Sequence, residues 1–265
     1  MALVTMSAVG AGMSTATASS HAVSASSAVH PRKAVTIRSD ITPKNIAPSP
    51  DFLSSCTSAS ISASCLSSEL AAINNARQAE GVVPITISLS GFTSLTPAEQ
   101  VLALTDLERT ARGLAPVAAL TAELDNVAAA GSSASVDPSL AGWTLTGNKE
   151  VTAWASNWAG GLDVLGADYL WMYDDGVGYN VDCPNATSPG CWGHRDNVLF
   201  AAPTAASCAA NNGQATLLMG ASVISNAYHG GSGIAEIVVR SCGGTPSDAG
   251  FTWRAAKRIL FPATA

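Results

Sequence analysis

Between Cys183 and Cys191 the chain reads Pro-Asn-Ala-Thr-Ser-Pro-Gly, and Trp192-Gly193-His194-Arg195-Asp196-Asn197-Val198-Leu199 follows directly. Two cysteines around so short a run of turn-formers define a closed loop, and the histidine behind it is fixed wherever that loop is fixed. Gly190 and Gly193 are expected to let the backbone turn tightly beside Trp192 without adding side chains next to His194. Asp196, Asn197 and Val198-Leu199 read as a return to regular structure. The other four of the six cysteines are Cys56, Cys65, Cys208 and Cys242. Proximity along the chain suggests Cys56–Cys65, Cys183–Cys191 and Cys208–Cys242, among the many pairings that six cysteines allow. No Cys-x-x-Cys occurs, which argues against zinc-ribbon and thioredoxin chemistry. An even count in local loops favours an oxidising compartment, and each such loop contributes about 2–4 kcal/mol in the chain-entropy picture. Secretion is the expectation.

Charge narrows the partners. The net charge is −6 with few, scattered Lys and Arg, whereas phosphate backbones demand clustered basic residues. Nucleic acid is therefore excluded as an expected partner. No apolar run is long enough to span a bilayer, so no transmembrane segment is expected.

Composition then divides the chain. Residues 1–30 contain no Asp, Glu, Lys or Arg and are half Ala and Ser. With the unpatterned, Pro-containing stretch behind them, residues 1–50 read as a signal-peptide remnant followed by a disordered linker. Residues 51–94 read as an N-terminal extension that holds the Cys56/Cys65 loop and a short helix, with Leu66, Leu70 and Ile73 on one face. Thr96-Pro97-Ala98-Glu99 is a capping box with proline at the first helical position, and Val101, Leu104 and Leu107 supply that helix's buried stripe. Gly113 stops it. Val117, Leu120, Leu124 and Val127 predict a second helix over 117–131. Leu162, Leu165, Tyr169 and Met172 predict a third over 160–173, ended by a turn at Asp174-Asp175-Gly176. Residues 215–224 and 233–240 read as strands, with Ile234, Glu236 and Val238 on one face of the last and Ala235, Ile237 and Val239 on the other. Residues 246–265 read as a tail. Helices interleaved with late strands give an α+β fold in layers, braced by disulfides.

Several of these stretches resemble, in order, the motifs of the CAP superfamily (SCP/PR-1-like secreted domains) of the bacterial type. Asp106 to Val117 is similar to the family's opening Asn-x-x-Arg-x-x-x-Gly-Leu-x-Pro-Leu, with Asp106 for Asn and Val117 for Leu. Gly147-Asn148-Lys149-Glu150-Val151 resembles Gly-Glu-Asn-Ile loosely. Trp171-Met172-Tyr173 resembles the end of the helix before the signature loop, and Gly193-His194-Arg195-Asp196-Asn197-Val198-Leu199 is the nearest match. The strand 234–239 resembles the family's terminal strand with Glu236 in place of Gln. The resemblance covers about residues 95–242, within a domain expected over 95–245, and it implies a three-layer α-β-α sandwich and an extracellular protein. It also implies a groove in which His194, Glu150, Arg195, Asn197 and Glu236 face a ligand. Of the two His and two Glu that hold a divalent cation in many members, only Glu150 and His194 carry over, since residues 128–133 contain no histidine.

The residues themselves leave few catalytic options. His21 and His30 lie in the N-terminal segment, and His229 sits in a glycine-rich stretch expected at a hairpin tip. No Gly-x-Ser-x-Gly elbow and no His-Glu-x-x-His motif is present. Arg109 and Arg112 are expected to pair with Glu108, Asp106 or solvent. The expected function is a ligand-binding or interaction module rather than an enzyme. Its expected partner is a small hydrophobic ligand such as a lipid or sterol, or a cell-surface component, with no cofactor beyond a divalent cation at His194 and Glu150. The rivals are a hydrolase that uses Glu150 and His194, and a structural module of the cell surface.

Overall fold

The computed structural model describes residues 43–56, 62–143, 145, 150–178, 180–246 and 248–262. The stretch read as a signal remnant thus lies outside the described residues, as do Gly147, Asn148 and Lys149.

The capping box forms as its residues dictate. Thr96 Oγ1 accepts from Glu99 N, Glu99 Oε2 accepts from Thr96 N at 2.7 Å, and helix α3 follows over Pro97–Ala111. Ahead of it stand α1 (Ala63–Ala79) and the short α2 (Leu89–Ser94); after it come strand β1 (Ala119–Thr121) and α4 (Ala122–Ala134). The remaining elements are β2 (Glu150–Gly160), α5 (Val164–Tyr173), α6 (Gly193–Val198), a 3-10 turn, β3 (Ala215–Tyr228), β4 (Gly231–Cys242), β5 (Ala249–Thr252) and α7 (Trp253–Leu260). The strands form one mixed sheet in the order β2-β4-β3-β1-β5, antiparallel except where β1 runs parallel to β3.

The two faces of β4 alternate as its sequence predicts. Ile234 and Val238 join the large core, with residues of α1, α3, α5 and α7, while Ala235, Ile237 and Val239 join Leu124, Val127 and Ala128 of α4. Helices therefore cover both faces of the sheet. Contact between α4 and β3 is backbone to backbone: a Cβ added at Gly220 would stand 2.0 Å from the Leu124 carbonyl. Asp125 of the same helix accepts from Ala221 N at 2.9 Å, two residues beyond the last β3 position paired with β1. The three disulfides are Cys56–Cys65, Cys183–Cys191 and Cys208–Cys242.

Four expectations need correction. The helix predicted over 117–131 begins only at Ala122, because residues 119–121 form β1; all three are buried, so no alternation marked them as a strand. The helix predicted over 160–173 begins at Val164, where Asp163 caps it through Gly166 N; Gly160 ends β2 and residues 161–163 form the bend between the two. The supposed tail, 246–265, supplies β5 and α7, whose Trp253, Ala256 and Leu260 are buried while Arg254, Lys257 and Arg258 face out. Nor is the last part of the expected linker loose. Ile46 N donates to Tyr173 O, and Asn45 Oδ1 accepts from Gly176 N at 2.8 Å.

The N-terminal extension is built into the same core through ions. Arg77 of α1 pairs with Glu108 of α3 at 2.7 Å, and both side chains are buried. Glu80, at the end of α1, receives Arg112 and Arg195 at 2.8 Å each, and Arg112 also contacts Glu108. Arg109 instead donates to the carbonyls of Ala115 and Val198.

Candidate functional site

Asp175 organises the loop that the cysteines close. Its Oδ2 accepts from the backbone N–H of His194 at 2.9 Å and of Arg195 at 3.2 Å, which caps α6 from outside the helix. Its Oδ1 lies 2.7 Å from His194 Nδ1, and also accepts from Asn180. Trp192 is the residue that turns: its φ is +63°, and its N–H donates to Asp175 O. Gly190 serves a close approach, since a Cβ there would meet Asp182 O at 2.5 Å, whereas a Cβ at Gly193 would meet nothing. The expectation that both glycines make the turn is corrected accordingly.

Below this loop, Asn157 of β2 pins α6 to the sheet. Its Nδ2 donates to His194 O at 3.0 Å and to Glu236 Oε1 at 2.9 Å, and its Oδ1 accepts from Asn197 Nδ2 at 3.0 Å. Asn197 also donates to Ser156 O. Thr105 of α3 donates to the second oxygen of Glu236 at 2.8 Å. Burial pushes the Glu236 carboxyl up to about 7, against the pull of those two donors and Arg109.

His194 opens onto a cleft of about 410 Å³. Its walls are apolar and aromatic, with Val136, Trp158, Leu170, Trp171 and Val181 prominent. Asp137, Asp174, Asp175, Asp182 and His194 also line it, and of these Asp137, Asp182 and His194 gather closely. Asp137 reaches the rim because α4 ends in a fold-back: Ser135 takes a left-handed φ of 55°, and a Cβ at Gly131 would stand 2.8 Å from Pro138 N. Burial alone would lower the His194 pKa, but the hydrogen bond and charge of Asp175, with Asp137 and Asp182 behind, hold it above its ordinary value.

Asp137, Asp182 and His194 each offer a donor atom, all within 4.8 Å of one another, and His194 Nε2 lies 3.8 Å from Asp137 Oδ1. One imidazole and two carboxylates, with the ring oriented by a further carboxylate, form a donor set that suits a divalent cation. Glu150 has no part in it. It begins β2, exposed and hydrogen-bonded to Asn211, seven residues before Asn157, or about 20 Å along the strand. Arg195 turns away from the cleft to Glu80 and Met172 O, while Asn197 of α6 and Glu236 of β4 meet at Asn157 and are not among the cleft's lining residues. His229 sits exposed between β3 and β4.

The sequence reading missed Asp137, Asp174 and Asp182 as members of the site, and it took Asp175 for a turn residue only. Asp175 and Asp182 flank the disulfide loop closely enough that proximity to His194 could have flagged them. Asp137 carries no such signal, because the fold-back after α4 brings it in. Together these features define a disulfide-braced α+β domain with an acidic, aromatic-walled cleft. No known family, curated protein or solved structure matches the chain.

Proposed function

We propose that the protein is a secreted, CAP/SCP-like domain with the layered α-β-α sandwich of that superfamily, and that it binds a small, largely apolar ligand beside His194. The single observation that carries this reading is the cleft. A volume of about 410 Å³ lies within the ordinary size of ligand sites, and apolar walls that end in a few convergent polar groups are their usual chemistry. Three disulfides support an oxidising compartment, and no helix among the described residues is long and apolar enough to cross a membrane. The test is native mass spectrometry of protein secreted from its own host, before and after denaturation. The expected result is a mass increment present only in the native protein, together with the mass deficit of three disulfides. A bare native chain would overturn the binding reading and favour a structural role at the cell surface.

A hydrolase is the second reading, and the Asp175–His194 contact of 2.7 Å favours it over the pair with Glu150. A carboxylate on Nδ1 leaves Nε2 free to act as a base towards the cleft. Turnover of peptide or ester substrates, abolished in His194→Ala with folding intact, would establish it.

A further inference from the structure

Apart from His194, which Asp175 pairs, the ionisable groups in the cleft are acidic. Asp137, Asp174, Asp175 and Asp182 border it, and no Lys or Arg is among its described lining residues. Asp174 is only 2 % exposed, and neither of its carboxylate oxygens has a hydrogen-bond partner. A buried, unpartnered carboxylate is costly, and natural structures satisfy such groups with a counter-charge or a bound ligand. Burial and the neighbouring Asp175 raise its pKa to about 6, so it is still mainly ionised at neutral pH.

The rest of the cleft says which cation. A bare divalent ion held by Asp137, Asp182 and His194 would leave Asp174 outside the group of donors that gather within 4.8 Å. It would also leave the apolar walls unused. Trp158 and Trp171 line the same cleft, with Trp171 Nε1 donating to Trp158 O, and aromatic side chains attract ammonium groups. Asp174 and Asp175 further lie at the C-terminus of α5, where the helix dipole favours positive charge.

We propose that the cleft takes an organic cation, an ammonium group on an apolar body, with the charge among Asp174 and its neighbouring carboxylates and the body along Trp158 and Trp171. This rests on the ligand-binding reading above and names the class of ligand. The probes are n-octylammonium and its neutral and anionic counterparts, octanol and octanoate, each titrated calorimetrically into the full chain at neutral pH, with calcium and zinc titrated separately. Octylammonium is expected to bind at least about tenfold more tightly than either counterpart, the scale of a charge pair in a desolvated site. Asp174→Asn is expected to cost about tenfold of that affinity. Asp137→Asn, at an exposed rim position, is the second variant and is expected to weaken binding without affecting the fold. Octanol or octanoate binding as tightly, or octylammonium affinity unchanged in both variants, would overturn the inference and leave the ligand-binding reading standing. Binding of metal ions alone would overturn the inference and the apolar-ligand reading together, and leave a metal site at Asp137, Asp182 and His194. If neither octylammonium nor its counterparts bind, and no metal does, both readings fall.

Discussion

At the scale of the residue, Asp175 gathers the site by answering several needs at once. It caps the first N–H groups of α6, receives the Trp192 N–H on its backbone, and fixes the His194 ring through Nδ1. Asp175→Asn keeps the shape and removes the charge. The His194 pKa is then expected to fall, because burial remains while the Asp175 charge that opposes it is gone and only a neutral acceptor is left on Nδ1. In the native protein, the raised pKa contributes stability that is fully present below the ordinary histidine value and is lost as pH rises through the folded one. The variant should lack that acid-side increment. Ring 15N–1H spectra of His194 across the pH range would show the shift, and an unchanged titration would mean that Asp175 does not hold the ring.

At the scale of the element, what was legible depended on how local the cause was. Helix α3 announces itself because Thr96, Pro97 and Glu99 complete their own cap within four positions. The alternation of β4 was equally plain, since its two faces enter two different cores. Strand β2 was hidden. Its Ala and Ser carry little strand preference, its polar Asn157 is buried, and its partner β4 lies about eighty positions on in the chain, with Asn157 opposite Glu236. The cleft was hidden for the same reason: Asp137, Asp175 and His194 come from three separate segments. The seat of α4 on β3 is likewise invisible before the fold is known, yet it supports a sharp expectation. Gly220→Ala places a methyl group 2.0 Å from the Leu124 backbone, and backbone cannot rotate aside as a side chain can. A loss of about 3 kcal/mol is expected, at the upper end of ordinary overpacking. Denaturant unfolding measures it, and a neutral result would show that α4 can shift along the sheet without cost.

At the scale of the whole molecule, the interior holds an unusual number of carboxyl groups, and their pKa values are displaced mostly in one direction. Burial raises Glu69, to about 9, with Asp163 adding to the effect; it raises Asp106 and Asp168 well above the ordinary range, and Glu236 to about 7. Glu108 moves the other way: burial would raise it, but Arg112 and Arg77 hold it low. A carboxyl raised in the folded state contributes stability that is fully present below its unfolded pKa and is lost as pH rises through its folded one. The raised groups outnumber the lowered one, and raised His194 has the same sign, so the melting temperature is expected to fall between pH 5 and pH 8. Glu236 tests the cause, because its displacement ends inside that window. From an ordinary 4.5 to about 7, its share is about 3 kcal/mol. Glu236→Gln keeps a partner for Thr105 and Asn157 while removing the ionisation, so its melting temperature should decline less steeply over the same range. A wild-type melting temperature that rises from pH 5 to pH 8 would mean that ion pairs like Arg77–Glu108, rather than buried neutral acids, dominate the charge balance of the fold.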